Sequence, residues 1–218
     1  MKTRSVLFLL TFLTSVLSYA QSNVSGRISL SGGFDVGGHY VTSEAKYNGT
    51  VIGQDTTGAV TKLFQFNGHY SITNWFSAGL GFRVGSYVED PDDPENAYKS
   101  NSVSEVYLDT RFYFVNRNKF NMYGGFSLGS TTLNLNYNKS SYSSEEVYKT
   151  STARFQIGLN WYITKYVGFW YNMDYAGRTY ELSSWKLNGA SQDLSNFDYA
   201  INTKGAHFAF GLCFKFKE

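Results

Sequence analysis

Three histidines, one cysteine and one acidic run are the groups in this sequence that could carry chemistry. An imidazole titrates near neutrality and can act as a general base, given a hydroxyl or carboxylate beside it. His39 has Ser43 and Glu44 close by in sequence, but no Ser–His–Asp set can be assembled from His39, His69 and His207. Glu89, Asp90, Asp92, Asp93 and Glu95 form an acidic stretch stiffened by Pro91 and Pro94. Carboxylates suit Ca²⁺ or Mg²⁺, yet the run lacks the turn glycine and terminal carboxylate of an EF-hand, so it reads as a solvated loop. Cys213 has no second cysteine, which excludes an internal disulfide and any cysteine-based metal motif.

The elements that must position these side chains are β-strands. From Ile28 to Tyr40 the even positions read Ile28, Leu30, Phe34, Val36 and Tyr40, and the odd ones Ser29, Ser31, Asp35 and His39. Side chains alternate faces along a strand, so one face is apolar and the other polar. The same alternation recurs in 60–72, 76–88, 103–114, 153–163, 167–178 and 205–217, and in a stretch from Phe120. That makes about eight segments, each near the 9–11 residues of a tilted membrane-crossing strand. Leu133, Leu135 and Tyr137 fall out of phase with Phe126 and Leu128, which a bulge near Ser130–Thr132 would explain. Tight turns at Thr73-Asn74-Trp75, 116–119 and Thr164-Lys165 alternate with long polar connections at 42–59, 89–101, 138–150 and 183–200. Short turns on one side and long loops on the other are the membrane-barrel arrangement. The fold class expected is all-β, an eight-stranded antiparallel up-and-down transmembrane β-barrel.

A soluble barrel would reverse the faces. Phe64, Phe66, Phe208, Phe210, Phe214 and Phe216 could hardly all fit a small lumen. Lys2 and Arg4, the apolar run from Val6 to Leu17, and Ser18-Tyr19-Ala20 before Gln21 match a cleaved secretory signal. The expected organisation is a signal peptide at 1–20 and one barrel domain at 21–218. The formal net charge is +2 and there is no Lys/Arg run, so nothing indicates nucleic acid.

The polar faces carry Arg27, Arg83, Arg111, Arg154, Arg178 and Lys215 against Asp35, Glu105, Asp109 and Asp174. An eight-stranded barrel is just wide enough to be filled by side chains, and charges enclosed there must pair. The lumen is therefore expected to be a plug in which Arg83, Arg111, Arg154 and Arg178 face Glu105, Asp109 and Asp174. A narrow ion path is the competing reading. The three histidines are expected at different heights, with His39 near the outer rim.

The stretch from Ile72-Thr73-Asn74-Trp75-Phe76 to Gly81, Arg111-Phe112-Tyr113-Phe114 before a turn, and Gly211-Leu212-Cys213-Phe214-Lys215-Phe216 at the end resemble the small outer-membrane barrels of the OmpX and OmpA-transmembrane type. Gln21 after Ala20 is similar to the mature start of secreted Bacteroidetes proteins. The resemblance implies the outer membrane of a Gram-negative bacterium, contact with outer-membrane lipid and lipopolysaccharide, and insertion by the barrel-assembly machinery. It implies no activity, cofactor or metal. The function expected is structural or surface interaction with an extracellular ligand through the loops, where Tyr47, Tyr98, Tyr142, Trp185 and Tyr199 could make contact. An outer-rim enzyme acting on lipid A or peptides, and a narrow solute channel, are the alternatives.

Overall fold

A computed structural model describes residues 21–95 and 99–216. The expected signal peptide, Tyr98 and the last two residues lie outside the described residues. Nine strands run in chain order: β1 (Ile28–Tyr47), β2 (Thr50–Ser71), β3 (Phe76–Glu89), β4 (Ser102–Arg117), β5 (Phe120–Lys139), β6 (Tyr142–Tyr162), β7 (Val167–Leu187), β8 (Ala190–Ser191) and β9 (Phe197–Phe216). Eight are long; β8 is a two-residue strand at the tip of the last connection. Each long strand pairs antiparallel with its sequence neighbour, and β9 pairs with β1 from Ile28↔Phe216 to Tyr47↔Phe197, which closes the barrel.

The alternation has the phase read from the sequence. Phe34, Phe66, Leu80, Val106, Phe155, Met173 and Phe210 are exposed on the exterior, and Asp35, Gln65, Arg83, Glu105, Arg154 and Asp174 are buried in the lumen. An exterior this apolar needs lipid around it. The belt ends at the short turns with Trp75, Phe114, Trp161 and Tyr166, all exposed. Trp75 stacks on Phe112 at 6.0 Å, as an interfacial aromatic girdle does. At the other edge the exterior turns to Lys62, Ser104, Ser130, Ser151 and Lys204.

The strands do not stop at that edge. Most of the residues expected as long loops are strand: β1 and β2 meet at Asn48-Gly49, and β7 and β8 at Asn188-Gly189. In both turns the two central residues have positive φ, 49° and 76° in one, 51° and 80° in the other. That is the type I′ hairpin turn, which Asn-Gly favours because both residues tolerate a left-handed backbone. Among the described residues, the connection after β3 is the one that stays largely outside the strands, with Lys99 in an isolated bridge to Tyr137.

Beyond the belt the polarity of the two faces inverts. Val41, Ala59, Leu63, Tyr87, Val103, Leu133, Tyr148, Tyr180 and Ile201 point inward and form one buried apolar cluster. This corrects the expected bulge at Ser130–Thr132. β5 keeps its register with β4 and β6 throughout that stretch, and the irregularities lie at Ala45/Lys46, Tyr113/Val115 and Val147/Tyr148. Leu133 and Leu135 are out of phase with Leu128 because the environment changes there. Inside the belt lipid is outside and polar side chains are within; above it water is outside and an apolar collar is within.

Candidate functional site

The lumen is filled in layers. At the short-turn mouth residues 22–25 fold back into the opening. The Asn23 side chain donates to the Thr73 and Asn74 carbonyls at 3.2 and 3.1 Å, and accepts from Ser71 Oγ at 2.5 Å. Asn121 donates to Ser22 Oγ at 2.8 Å, and Asn160 donates to Asn121 at 2.8 Å. Nothing in the linear pattern indicated this cap. Its partners are 39 to 99 residues apart, and only barrel closure brings them together.

Above the cap sits an ion pair centred on Asp109. It accepts from His69 Nε2 at 2.7 Å, Arg111 at 3.2 Å and Ser127 Oγ at 3.0 Å, and also from Gln156 Nε2. Arg111 lies over the Tyr123 ring at 4.4 Å, and Trp170 Nε1 donates to Tyr123 Oη at 2.9 Å. A second set stands above it. Arg83 contacts Asp174 and lies 3.1 Å from Asp35. Arg154 is 3.3 Å from Glu105 and 3.7 Å from Asp174, and Arg178 is 3.5 Å from Glu105. Three arginines thus meet three carboxylates. Tyr107 lies beneath Arg154 at 4.0 Å, and Gly81 opposite it leaves the room that any side chain would take from its ring.

The structure therefore brings Arg83, Glu105, Arg154, Asp174 and Arg178 into one set and Asp109 with Arg111 into another. It also corrects the expected dispersal of the histidines. The β1–β9 register places His207 opposite Gly37, so His39 and His207 lie edge to face at 4.8 Å between ring centres. His207 Nδ1 is 2.8 Å from Asp35, and His39 Nε2 is 3.1 Å from Thr61 Oγ1. Only His69 stands apart. Both upper histidines are buried beneath the apolar collar, and His39 has neither Ser43 nor Glu44 among its partners. Cys213 is free and buried in the lower lumen beside Tyr162 and Trp170.

At the tall end a crevice of about 430 Å³ opens between the β3–β4 connection and the β5–β6 and β7–β8 hairpins. Glu89, Glu95, Lys99 and Glu146 line it with Leu135, Tyr137, Tyr142 and Trp185. Trp185 Nε1 donates to Ser144 Oγ at 3.1 Å, and Tyr148 Oη donates to Glu146 at 2.6 Å, which fixes two of the walls. Trp185, Phe197, Tyr199 and Tyr148 continue as a ladder of rings at 5.8, 6.5 and 5.9 Å. Burial lifts the Glu89 carboxyl above its ordinary value; Asp55, Glu146 and Asp90 add to the shift and Lys99 opposes it. Of the aromatic contact candidates, Tyr142 and Trp185 line the crevice, Tyr199 stands on the adjoining ladder, and Tyr47 is exposed at the β1–β2 hairpin.

No protein-family model matches the sequence, and no curated protein matches it. Solved structures do. The outer membrane protein OprG from Pseudomonas aeruginosa is similar with a TM-score of 0.61 and 13% identity, over 91% of this chain and 100% of that one. The outer membrane protein AlkL is similar with a TM-score of 0.55 and 12% identity, over 92% and 95%. The fold is that of a small outer-membrane β-barrel. This sets the orientation: in such barrels the short turns face the periplasm and the tall hairpins face outward. The apolar belt then lies in the outer membrane, with the collar and crevice beyond it.

Proposed function

We propose that this outer-membrane barrel is a surface-interaction protein whose tall outer end holds an extracellular ligand, and that it acts neither as a pore nor as an enzyme. The observation that carries the reading is the contrast between its two interiors. The lumen is occupied from the mouth cap through both ion-pair layers to the collar, whereas the outer crevice is concave, mixed in polarity and open. Aromatic walls with a few convergent polar groups are the general composition of a ligand site. Tyr142 and Trp185 supply flat apolar area, and Glu89, Glu95 and Glu146 supply acceptors. A ligand with an apolar body and donor or cationic groups fits that set. Lys62 and Lys204 are exposed at the outer edge of the belt, and in this reading they would meet lipopolysaccharide phosphates.

The test pairs conductance with binding. Purified full chain in planar bilayers is expected to give no steady nanosiemens conductance. Cells displaying the protein are expected to bind members of an array of glycans and cationic peptides, and Trp185→Ala with Tyr142→Ala to lose that binding while the heat-modifiable barrel band persists on gels. A steady conductance, or an array pattern unchanged by the double substitution, would overturn the reading.

A further inference from the structure

The periplasmic mouth holds a second cavity, of about 580 Å³. Its charged wall is entirely cationic: Arg27, Lys165 and Lys215 line it, and among the described residues no carboxylate does. Lys215 carries the argument. It points into the mouth from β9 and is 6% exposed. Its ammonium lies 3.4 Å from the Asn118 carbonyl and 3.9 Å from the centre of the Tyr162 ring, and no described carboxylate is within ion-pair distance. A buried ammonium is costly to enclose, and one carbonyl and a ring face compensate only part of its lost hydration. Lys165, exposed in the β6–β7 turn, brings a further cation to the same cavity, and an anion seated between it and Lys215 would lower that cost.

The remaining wall shows where the anion comes from. Tyr166 and Phe216 line the same cavity, and both are exposed on the lipid side of the barrel. The Lys215 amide donates to the Tyr166 carbonyl at 2.8 Å, so cationic and aromatic walls are joined by one rung of the sheet. This rung sits at the girdle edge, the depth of lipid headgroups. We infer that the cavity binds the phosphate of an anionic phospholipid from the periplasmic leaflet, with Lys165 and Lys215 on the headgroup and Tyr166 and Phe216 against its glycerol and upper acyl region. Each cation near a membrane surface adds about a fivefold preference for anionic lipid.

Native mass spectrometry of the full chain tests this. Delipidated protein in detergent is offered dioleoyl-phosphatidylglycerol or dioleoyl-phosphatidylcholine, with inorganic phosphate as competitor. The wild type is expected to retain one phosphatidylglycerol in preference to phosphatidylcholine, undisturbed by millimolar phosphate. Lys165→Glu and Lys215→Met are each expected to weaken phosphatidylglycerol by about fivefold or more and to leave phosphatidylcholine unchanged. Lys165 is exposed in the β6–β7 turn, so its variant reads out even where Lys215→Met fails to fold. Equal retention of the two lipids, or phosphatidylglycerol retention unaffected in a folded Lys165→Glu barrel, would overturn the site. Inorganic phosphate that binds alone and displaces the lipid would overturn the assignment to lipid in favour of a free anion.

Discussion

The Asp109–Arg111 pair offers the sharpest test of the charged lumen, because it is one carboxylate against one guanidinium, apart from the larger set above. Both residues are fully enclosed, at 0% and 2% exposure. Asp109→Asn keeps the shape but leaves Arg111 without its carboxylate, and breaking one side of a buried pair costs about 3–5 kcal/mol. Arg111→Met strands Asp109 instead, with His69, Ser127 and Gln156 still donating to it, and loses the stacking on Tyr123. That change should cost about 3 kcal/mol, of which roughly 1–2 is the cation–π contact. The double variant removes both charges, so neither is left enclosed alone. A coupling of about 2–3 kcal/mol should bring it well below the sum of the singles, near the cost of Asp109→Asn by itself. Equilibrium urea unfolding in lipid vesicles measures this, and Trp170, hydrogen-bonded to Tyr123 beneath Arg111, is a native reporter beside the site. Additive single costs, or an Asp109→Asn cost below about 1 kcal/mol, would refute the enclosed-pair argument.

Phe210, exposed near the middle of the belt on β9, should lose about 2–4 kcal/mol on change to Arg, whereas Thr132→Arg, on the exterior beyond the belt, should cost close to nothing in the same unfolding assay. Leu133 is 0% exposed in the collar, so Leu133→Ala should cost about 2–5 kcal/mol, and limited proteolysis should then cut the outer hairpins while the belt stays intact. The Glu89 carboxyl is lifted above its ordinary value of 4.5, so between that value and the raised one the folded chain holds a proton that the unfolded chain has released. Stability should therefore fall as pH rises through that window, and Glu89→Gln should flatten this part of the urea-midpoint profile.

The membrane-spanning part was legible because lipid imposes one rule on every strand. Ile28 to Tyr40 and Gly205 to Phe216 could be phased by parity alone, and Arg83, Glu105, Arg154 and Asp174 fell inward as a consequence. Three features were not legible for three different reasons. The outer hairpins read as loops because their polar exteriors mask alternation, although Asn48-Gly49 and Asn188-Gly189 are strong hairpin signals that could have disclosed them. The His39–His207 contact depends on how the first strand is staggered against the last, and parity says nothing about stagger. The mouth cap joins asparagines far apart in sequence whose side chains could equally have faced water.

The change of polarity along single strands bears directly on how the outer end can work. β5 carries Leu128 to lipid and Leu133 to the collar without a break in register, and β7 does the same with Met173 and Tyr180. The β5–β6 ladder, unbroken from Phe120↔Trp161 to Lys139↔Tyr142, therefore couples the belt to the Tyr142 wall of the crevice. A binding surface on free loops would have to be ordered when ligand arrives, at about 1–2 kcal/mol for each backbone residue fixed. Here Tyr142, Trp185 and the Trp185–Phe197–Tyr199–Tyr148 ladder stand on strands already held by hydrogen bonds and by the collar. The β3–β4 connection, which contributes Glu95 and Lys99, is the crevice wall that stands outside the long strands, and its described second half is tied to β5: Lys99 bridges Tyr137, the Ser100 amide donates to the Asn136 carbonyl at 2.9 Å, and the Asn136 amide donates to Asn101 Oδ1 at 3.1 Å. Glu95 reaches across to Lys139 on β5 at 3.1 Å, so this wall is latched to the rigid side by an exposed ion pair. An exposed pair of this kind contributes at most about 1 kcal/mol. The crevice thus combines a fixed aromatic floor with a wall whose Lys99 side is pinned to β5 and whose Glu95 side is held by exposed side-chain contacts, so a ligand can displace Glu95 without disturbing the barrel beneath it.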